Sequence, residues 1–156
     1  MARRAGARKV DYAPVARIRS ATVCELDYGE ETAWVYERVL HLAAAANRRL
    51  WRVDLSGIFH PLKLIRYGKG DHYDWHTDLG AGIVSDRKLS VTVQLSAASD
   101  YAGGNLELLV QPHPLAVPRQ LGCAIVFPSY ALHRVTPVSM GSRLALVGWI
   151  QGPPYR

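Results

Sequence analysis

His76 and Asp78 stand two residues apart in the run Arg66-Tyr67-Gly68-Lys69-Gly70-Asp71-His72-Tyr73-Asp74-Trp75-His76-Thr77-Asp78. In an extended segment, residues i and i+2 point to one face and the residue between them points away. One imidazole nitrogen and one carboxylate oxygen can then reach a single ion. Alone the pair is weak, since 6 histidines and 8 aspartates give a chance His-x-Asp in roughly a third of such sequences. A second piece lies downstream. Cys123 to Phe127 has the pattern of a buried strand, Pro128-Ser129 of a turn, and His133 opens another strand. Ten residues later Arg143 falls on one face with Ala145, Val147 and Trp149. An arginine among such neighbours must meet an anion or remain expensively unpaired.

Two imidazoles and one carboxylate cover one face of an octahedron and leave three positions open, the donor set of non-haem Fe(II) oxygenases. A chelating keto acid takes two of those positions and dioxygen the third. The far carboxylate of the keto acid then needs a fixed cation, and a guanidinium offers a planar, permanently charged fork. His76, Asp78, His133 and Arg143 meet that specification.

These residues need elements to hold them. Glu30 to Asn47 reads as a helix, with Trp34, Val35, Val39, Leu42, Ala43 and Ala46 at three- and four-residue spacing. Glu30, Glu31 and Glu37 precede Arg48 and Arg49, the order a helix dipole favours. Leu62–Tyr67, Lys88–Ser96, Asn105–Val110, Cys123–Phe127, His133–Val138 and Ser142–Ile150 read as short strands separated by Gly, Pro, Asp and Ser. Strands of this length and pitch predict a sandwich, barrel or jelly roll. Residues 1–20 form a basic, flexible tail and 21–156 a single domain.

Over residues 60–152 the chain resembles the Fe(II)/2-oxoglutarate-dependent dioxygenases, in their prolyl-4-hydroxylase-like branch. The resemblance rests on Tyr67-x-x-Gly70-Asp71, His76-Thr77-Asp78, Arg87, Leu89–Leu95, Tyr101-Ala-Gly-Gly-Asn-Leu, Gly122, Phe127-Pro-Ser, His133-Arg-Val-Thr-Pro-Val, Gly141-Ser-Arg143 and Trp149. It implies a mainly β fold, a double-stranded β-helix (jelly roll, cupin-like) with one or more N-terminal helices packed on one sheet. It implies iron on His76, Asp78 and His133, and the distal 2-oxoglutarate carboxylate on Arg143. Tyr67 matches a tyrosine near the co-substrate. Gln94 stands where some relatives carry a tyrosine that helps hold that carboxylate, and could donate to it. Trp149 matches a wall of the substrate pocket and Arg87 an arginine at its entrance, although Arg87 alone reads as a solvated strand-end charge. The family decarboxylates 2-oxoglutarate to succinate and carbon dioxide with dioxygen, hydroxylates a carbon, and uses ascorbate as an accessory reductant. Proline or a prolyl peptide is the favoured substrate, with a free amino acid or natural-product intermediate as alternative. Recognition would come from the N-terminal 60 residues and the loops 80–86 and 111–119.

Composition agrees with a globular chain: 49% apolar and 21% charged. No apolar run approaches the roughly 18 residues of a membrane span. Of the net charge of +6, the first 20 residues supply +5 through Arg3, Arg4, Arg8, Lys9, Arg17 and Arg19 against Asp11. A tail of this kind argues little for nucleic acid. Base-demethylating dioxygenases also carry a second arginine six residues after the first, where this chain has Trp149. A binding-only cupin would have lost a ligand, and none is missing. A zinc hydrolase using His72 and His76 is set against the glycines that precede them. Two cysteines, Cys24 and Cys123, fit a reduced compartment and a cytoplasmic location.

Overall fold

Alternating apolar runs, broken by turn residues, fold into twelve strands and one α-helix in the computed structural model, which describes residues 18–155. The strands are β1 (Arg19–Ser20), β2 (Thr22–Leu26), β3 (Leu62–Tyr67), β4 (His72–His76), β5 (Arg87–Gln94), β6 (Tyr101–Gly103), β7 (Leu106–Leu108), β8 (Leu115–Ala116), β9 (Ala124–Pro128), β10 (His133–Val135), β11 (Val138–Gly141) and β12 (Arg143–Gln151). The helix, α1, spans Ala33–Leu50.

Strand order is β2-β3-β12-β5-β9 in one sheet and β1-β4-β10-β7-β8 in the other, with β6 and β11 paired separately. From β3 onward the chain passes back and forth between the two large sheets: β3, β4, β5, β7, β9, β10, β12. That alternation, with antiparallel pairing throughout, is the jelly-roll winding the sequence predicted.

Apolar surface is buried in two places. Between the sheets lie Val23, Ile65, Tyr67, Leu106, Leu108, Phe127, Val135 and Val138. Behind the β12 sheet, Leu62, Leu89, Val91, Leu146 and Ile150 pack against Tyr36, Val39 and Ala43 of α1. Strand β12 is therefore covered on both faces, which is why it reads as a near-continuous apolar run. Gly148 is required by this packing: a Cβ there would lie 2.4 Å from the Leu62 side chain.

The helix differs from the sequence expectation. It begins at Ala33, so Glu30 and Glu31 precede it, and its buried face is Tyr36, Val39, Ala43 and Asn47. Trp34 and Leu42 are exposed at 57% and 40%. Two polar residues win the buried face because each satisfies backbone groups there. Tyr36 Oη donates to the Leu26 carbonyl at 2.5 Å and accepts from Leu62 N–H at 3.1 Å. Asn47 exchanges bonds with Val53 N–H and C=O at 3.1 and 2.8 Å. Tyr36→Phe leaves a buried N–H without its acceptor, so stability should fall by about 1–3 kcal/mol in urea denaturation. An unchanged midpoint would mean that this hydroxyl does not fasten the helix.

Of the expected tail, residues 1–17 lie outside the described residues. Arg19 and Ser20 form β1, paired with Tyr73 and His72. Of the other strands that sequence reasoning missed, β2 and β8 lie at sheet edges, β6 and β11 are only three and four residues long, and β4, between β1 and β10, is polar at three of its five positions.

Candidate metal centre

Antiparallel register brings the two histidines together. His76 closes β4, His133 opens β10, and the two are direct cross-strand partners with ring centroids 4.1 Å apart. Asp78 lies just past the end of β4, in a bend and not in the extended segment the spacing suggested. Two bonds hold that bend: Asp78 N–H and Leu79 N–H both donate to the Ser129 carbonyl at 2.9 Å. The turn ahead of β4 is fastened by Asp71, whose carboxylate accepts from Gly68 N–H at 2.8 Å and from the Ser20 hydroxyl.

One ligand atom from each of His76, Asp78 and His133 falls within 4.8 Å of the others. Asp78 Oδ1 is 3.7 Å from His76 Nε2, and Oδ2 is 3.5 Å from His133 Nε2. The outward nitrogens are tied back: Nδ1–H of His76 donates to the Asp74 carbonyl at 2.7 Å, and that of His133 to the Ala131 carbonyl at 2.8 Å. A carbonyl only accepts, so each Nδ1 carries the proton and each Nε2 turns a lone pair inward. Burial, then the neighbouring His133, lowers the His76 pKa to about 4, which keeps that ring neutral and available to a metal. Tyr73 stacks on His76 at 3.5 Å and Phe127 meets His133 edge-on at 4.8 Å, fixing both rings. The donor set and its orientation fit a divalent transition metal.

Asp78 has a supporting chain that sequence reasoning missed. Ser90 Oγ donates to Asp78 Oδ2 at 2.7 Å and lies 3.0 Å from Ser129 Oγ, both serines being buried. Nothing in their local sequence distinguishes these serines; only the β5–β9 pairing and the Ser129 turn bring them to Asp78. Ser90→Ala should weaken metal binding by about 10–100-fold without unfolding the protein. Unchanged affinity in a Co(II) titration would show that the carboxylate needs no such support.

The cavity at the triad has a volume of about 270 Å³ and includes Tyr67, Arg143, Arg87 and Trp149 in its lining. Arg143 is 1% exposed. Its Nε and Nη2 both donate to Gln94 Oε1, at 3.2 and 3.0 Å. Among the described residues no carboxylate pairs with it. Desolvation lowers its pKa, but a guanidinium starts so high that it stays charged. The buried charge thus awaits an anion, which fits a keto acid reaching down from the triad. Tyr67 faces Arg143 across β3 and β12, with the guanidinium carbon 5.5 Å from its ring, and burial pushes its phenol up to about 12.

Gln94 departs from expectation. Its Nε2 donates one hydrogen to the Pro118 carbonyl at 3.1 Å and its oxygen accepts from Arg143, so its amide orients the arginine, and Gln94 itself is not among the residues lining the cavity. Arg87 is not a solvated charge. Its guanidinium lies 3.8 Å over the Trp149 ring, and Nη1 donates to the Asp78 carbonyl at 3.3 Å. Gly80 and Val84 of loop 80–86 line the cavity, whereas no residue of 111–119 does. Arg119 instead clamps Asn105 Oδ1 and the Tyr101 carbonyl at 3.0 and 2.7 Å. His72 is not in the metal-binding group. Among the described residues no helix is long and apolar enough to cross a membrane.

A jelly roll that converges two histidines, an aspartate and a buried arginine on one cavity defines a class of oxygenase. The profile of the 2OG-Fe(II) oxygenase superfamily matches residues 62–151, and the chain belongs to that family. Fe(II), 2-oxoglutarate and dioxygen are the cofactors the family implies, and the His76–Asp78–His133 triad fits its iron site. A PKHD-type hydroxylase of Picosynechococcus sp. is 37% identical over 122 residues, 77% of this chain and 55% of that protein. One from Sphingopyxis alaskensis is 39% identical over 126 residues, 76% and 58% of the two chains. The chain thus spans just over half the length of these curated relatives. The fold is similar to a Pseudomonas putida prolyl-4-hydroxylase, with a TM-score of 0.72 at 24% identity over 88% of this chain and 74% of that one. It is also similar to a Trichoplax adhaerens prolyl hydroxylase in complex with a hypoxia inducible factor peptide, with a TM-score of 0.71 at 21% identity over 86% and 64%.

Proposed function

We propose that this chain is a 2-oxoglutarate-dependent hydroxylase acting on proline or a prolyl peptide. The observation that carries the reading is the joint placement in one cavity of three inward-facing metal donors and a buried guanidinium that no carboxylate among the described residues pairs. His76, Asp78 and His133 hold Fe(II). Arg143, oriented by Gln94, binds the distal carboxylate of 2-oxoglutarate, and Tyr67 lies beside the co-substrate. Iron with 2-oxoglutarate and dioxygen supplies the oxidation, releasing succinate and carbon dioxide and placing one oxygen atom in a substrate C–H bond. The protein's part is to orient and to exclude water. Tyr73 and Phe127 wall the imidazoles, and Ser90 holds the carboxylate. Trp149 and Arg87 form the substrate side of the cavity, and the preference for proline rests on that aromatic wall together with the prolyl hydroxylases among similar folds. A reducing compartment such as the cytoplasm, with ascorbate as accessory reductant, keeps the metal ferrous and Cys24 and Cys123 as thiols.

The test is anaerobic addition of Fe(II) and then 2-oxoglutarate, watching for the visible metal-to-ligand charge-transfer band. Admission of oxygen should discharge the band as succinate forms, and prolyl substrates should raise succinate yield and gain 16 mass units per turnover, about one oxygen atom. No band from folded protein would remove the hydroxylase reading. A band without stimulation by any prolyl compound would remove proline alone.

A further inference from the structure

The charges around the cavity do not balance within the machinery just described, and the surplus lies together. On the proposed hydroxylase reading, which this inference rests on, a divalent metal offsets a doubly charged 2-oxoglutarate and Asp78 offsets Arg143. Three further cations line the same cavity: Arg19, Lys63 and Arg87. Lys63 is offset in part, its ammonium 3.6 Å from the more exposed Glu25. Arg87 bonds through Nη1 to the Asp78 carbonyl and, among the described residues, has no carboxylate in ion-pair reach. Arg19 rests on the face of Tyr73 at 4.9 Å.

Register explains how they meet. Arg19 is opposite Tyr73 on β1 and β4, and Lys63 is opposite Val147 on β3 and β12, one alternation from Trp149. The Trp149 ring then carries Arg87 at 3.8 Å and Lys63 at 5.7 Å. Lys63 and Arg87 are both partly buried against that ring. Trp149 is 8% exposed, so its ring is a buried platform under these two cations. A neutral substrate would leave the surplus charge uncompensated. A planar oxyanion answers it, because a guanidinium presents a two-pronged edge to a carboxylate.

We propose that the substrate carries a free carboxylate, which docks on Arg87 with Arg19 and Lys63 reinforcing it, so that the carbon to be hydroxylated lies between this anchor and the triad. Among prolyl compounds this selects free proline or a C-terminal prolyl residue over an internal one. Arg87 is then a specificity-determining residue and takes no part in holding 2-oxoglutarate.

The test is calorimetric, on protein loaded with Mn(II) and 2-oxoglutarate so that nothing turns over. Matched probes are L-proline against L-prolinamide and N-acetyl-L-proline against its amide. At least one acid should bind about tenfold or more tightly than its amide. Arg87→Gln should erase that preference while leaving 2-oxoglutarate affinity within about threefold, which also certifies the fold. Arg87→Lys should restore part of the preference, since it keeps the charge and loses the fork. Equal binding of acids and amides, failure of every acid to bind while 2-oxoglutarate binds, or an acid preference untouched in Arg87→Gln would overturn the inference. Failure of the wild-type protein to bind 2-oxoglutarate would instead overturn the hydroxylase reading, and this inference with it.

Discussion

Asp78→Ala should abolish succinate formation and lower metal affinity by more than the roughly 100-fold upper range seen when only a supporting residue is lost. The carboxylate sits 3.7 and 3.5 Å from the two imidazole Nε2 atoms, so its removal leaves two neutral donors and no anionic one. The fold has little to lose. The Asp78 backbone N–H still reaches the Ser129 carbonyl, and Ser90 Oγ retains Ser129 Oγ as partner at 3.0 Å. No core volume disappears. The metal-free variant should therefore melt within about 4 °C of the parent, equivalent to roughly 1 kcal/mol for a domain this size. Calorimetric titration with Fe(II) under nitrogen or with Co(II) reads the affinity, and thermal denaturation in chelator reads the fold. Unaltered metal affinity would remove Asp78 from the centre. A collapse in melting temperature would make it a structural residue first.

Arg143→Ala should separate the two cofactor requirements. Truncating one member of a buried, hydrogen-bonded charge pair costs about 2–5 kcal/mol, or roughly 30- to 5,000-fold in affinity. That loss should fall on the KM for 2-oxoglutarate, with Fe(II) affinity within about threefold of the parent. The side chain is 1% exposed and its cation has no carboxylate partner among the described residues, as the proposed role in holding the 2-oxoglutarate carboxylate requires. The variant also strands Gln94 Oε1, a buried acceptor worth about 1–3 kcal/mol of stability, so binding must be measured well below the melting temperature. Arg143→Lys should recover part of the affinity, since charge returns without the fork. Equal rises in the iron and 2-oxoglutarate requirements would make Arg143 a structural cation.

The ligand types and their spacing were legible from residue chemistry alone: His76, Asp78, His133 and Arg143 combine scarce side chains in an order that few other functions require. Strand β3 was read to its ends and β12 to within one residue, because alternation over six or more positions rises above chance. The face of α1 was read only in part: Val39 and Ala43 are buried as expected, but Tyr36 and Asn47 count as polar in any hydropathy pattern and lose that character only once Leu26, Leu62 and Val53 supply their partners. The same holds for the site. The carbonyls of Asp74 and Ala131 that set the imidazole tautomers carry no side-chain signature at all. Ser90 is an ordinary strand serine until β5 lies beside the Asp78 bend, and Gln94 is a plausible ligand for the co-substrate until its oxygen is seen on Arg143 and its side chain outside the cavity lining. Arg87 passes for a solvated charge until Trp149 lies beneath it.

Sequence by itself determined which atoms are available for the chemistry, and that much follows from local identity and period. Tertiary structure alone decided how they are aimed, what charge surrounds them and which donors remain free. Several of those properties belong to pairs of residues far apart in the chain, such as Ser90 with Asp78, 12 positions away, and His133 with His76 on a different strand. A hydrogen bond or an ion pair depends on distance in space, and the chain specifies that distance only after it has folded.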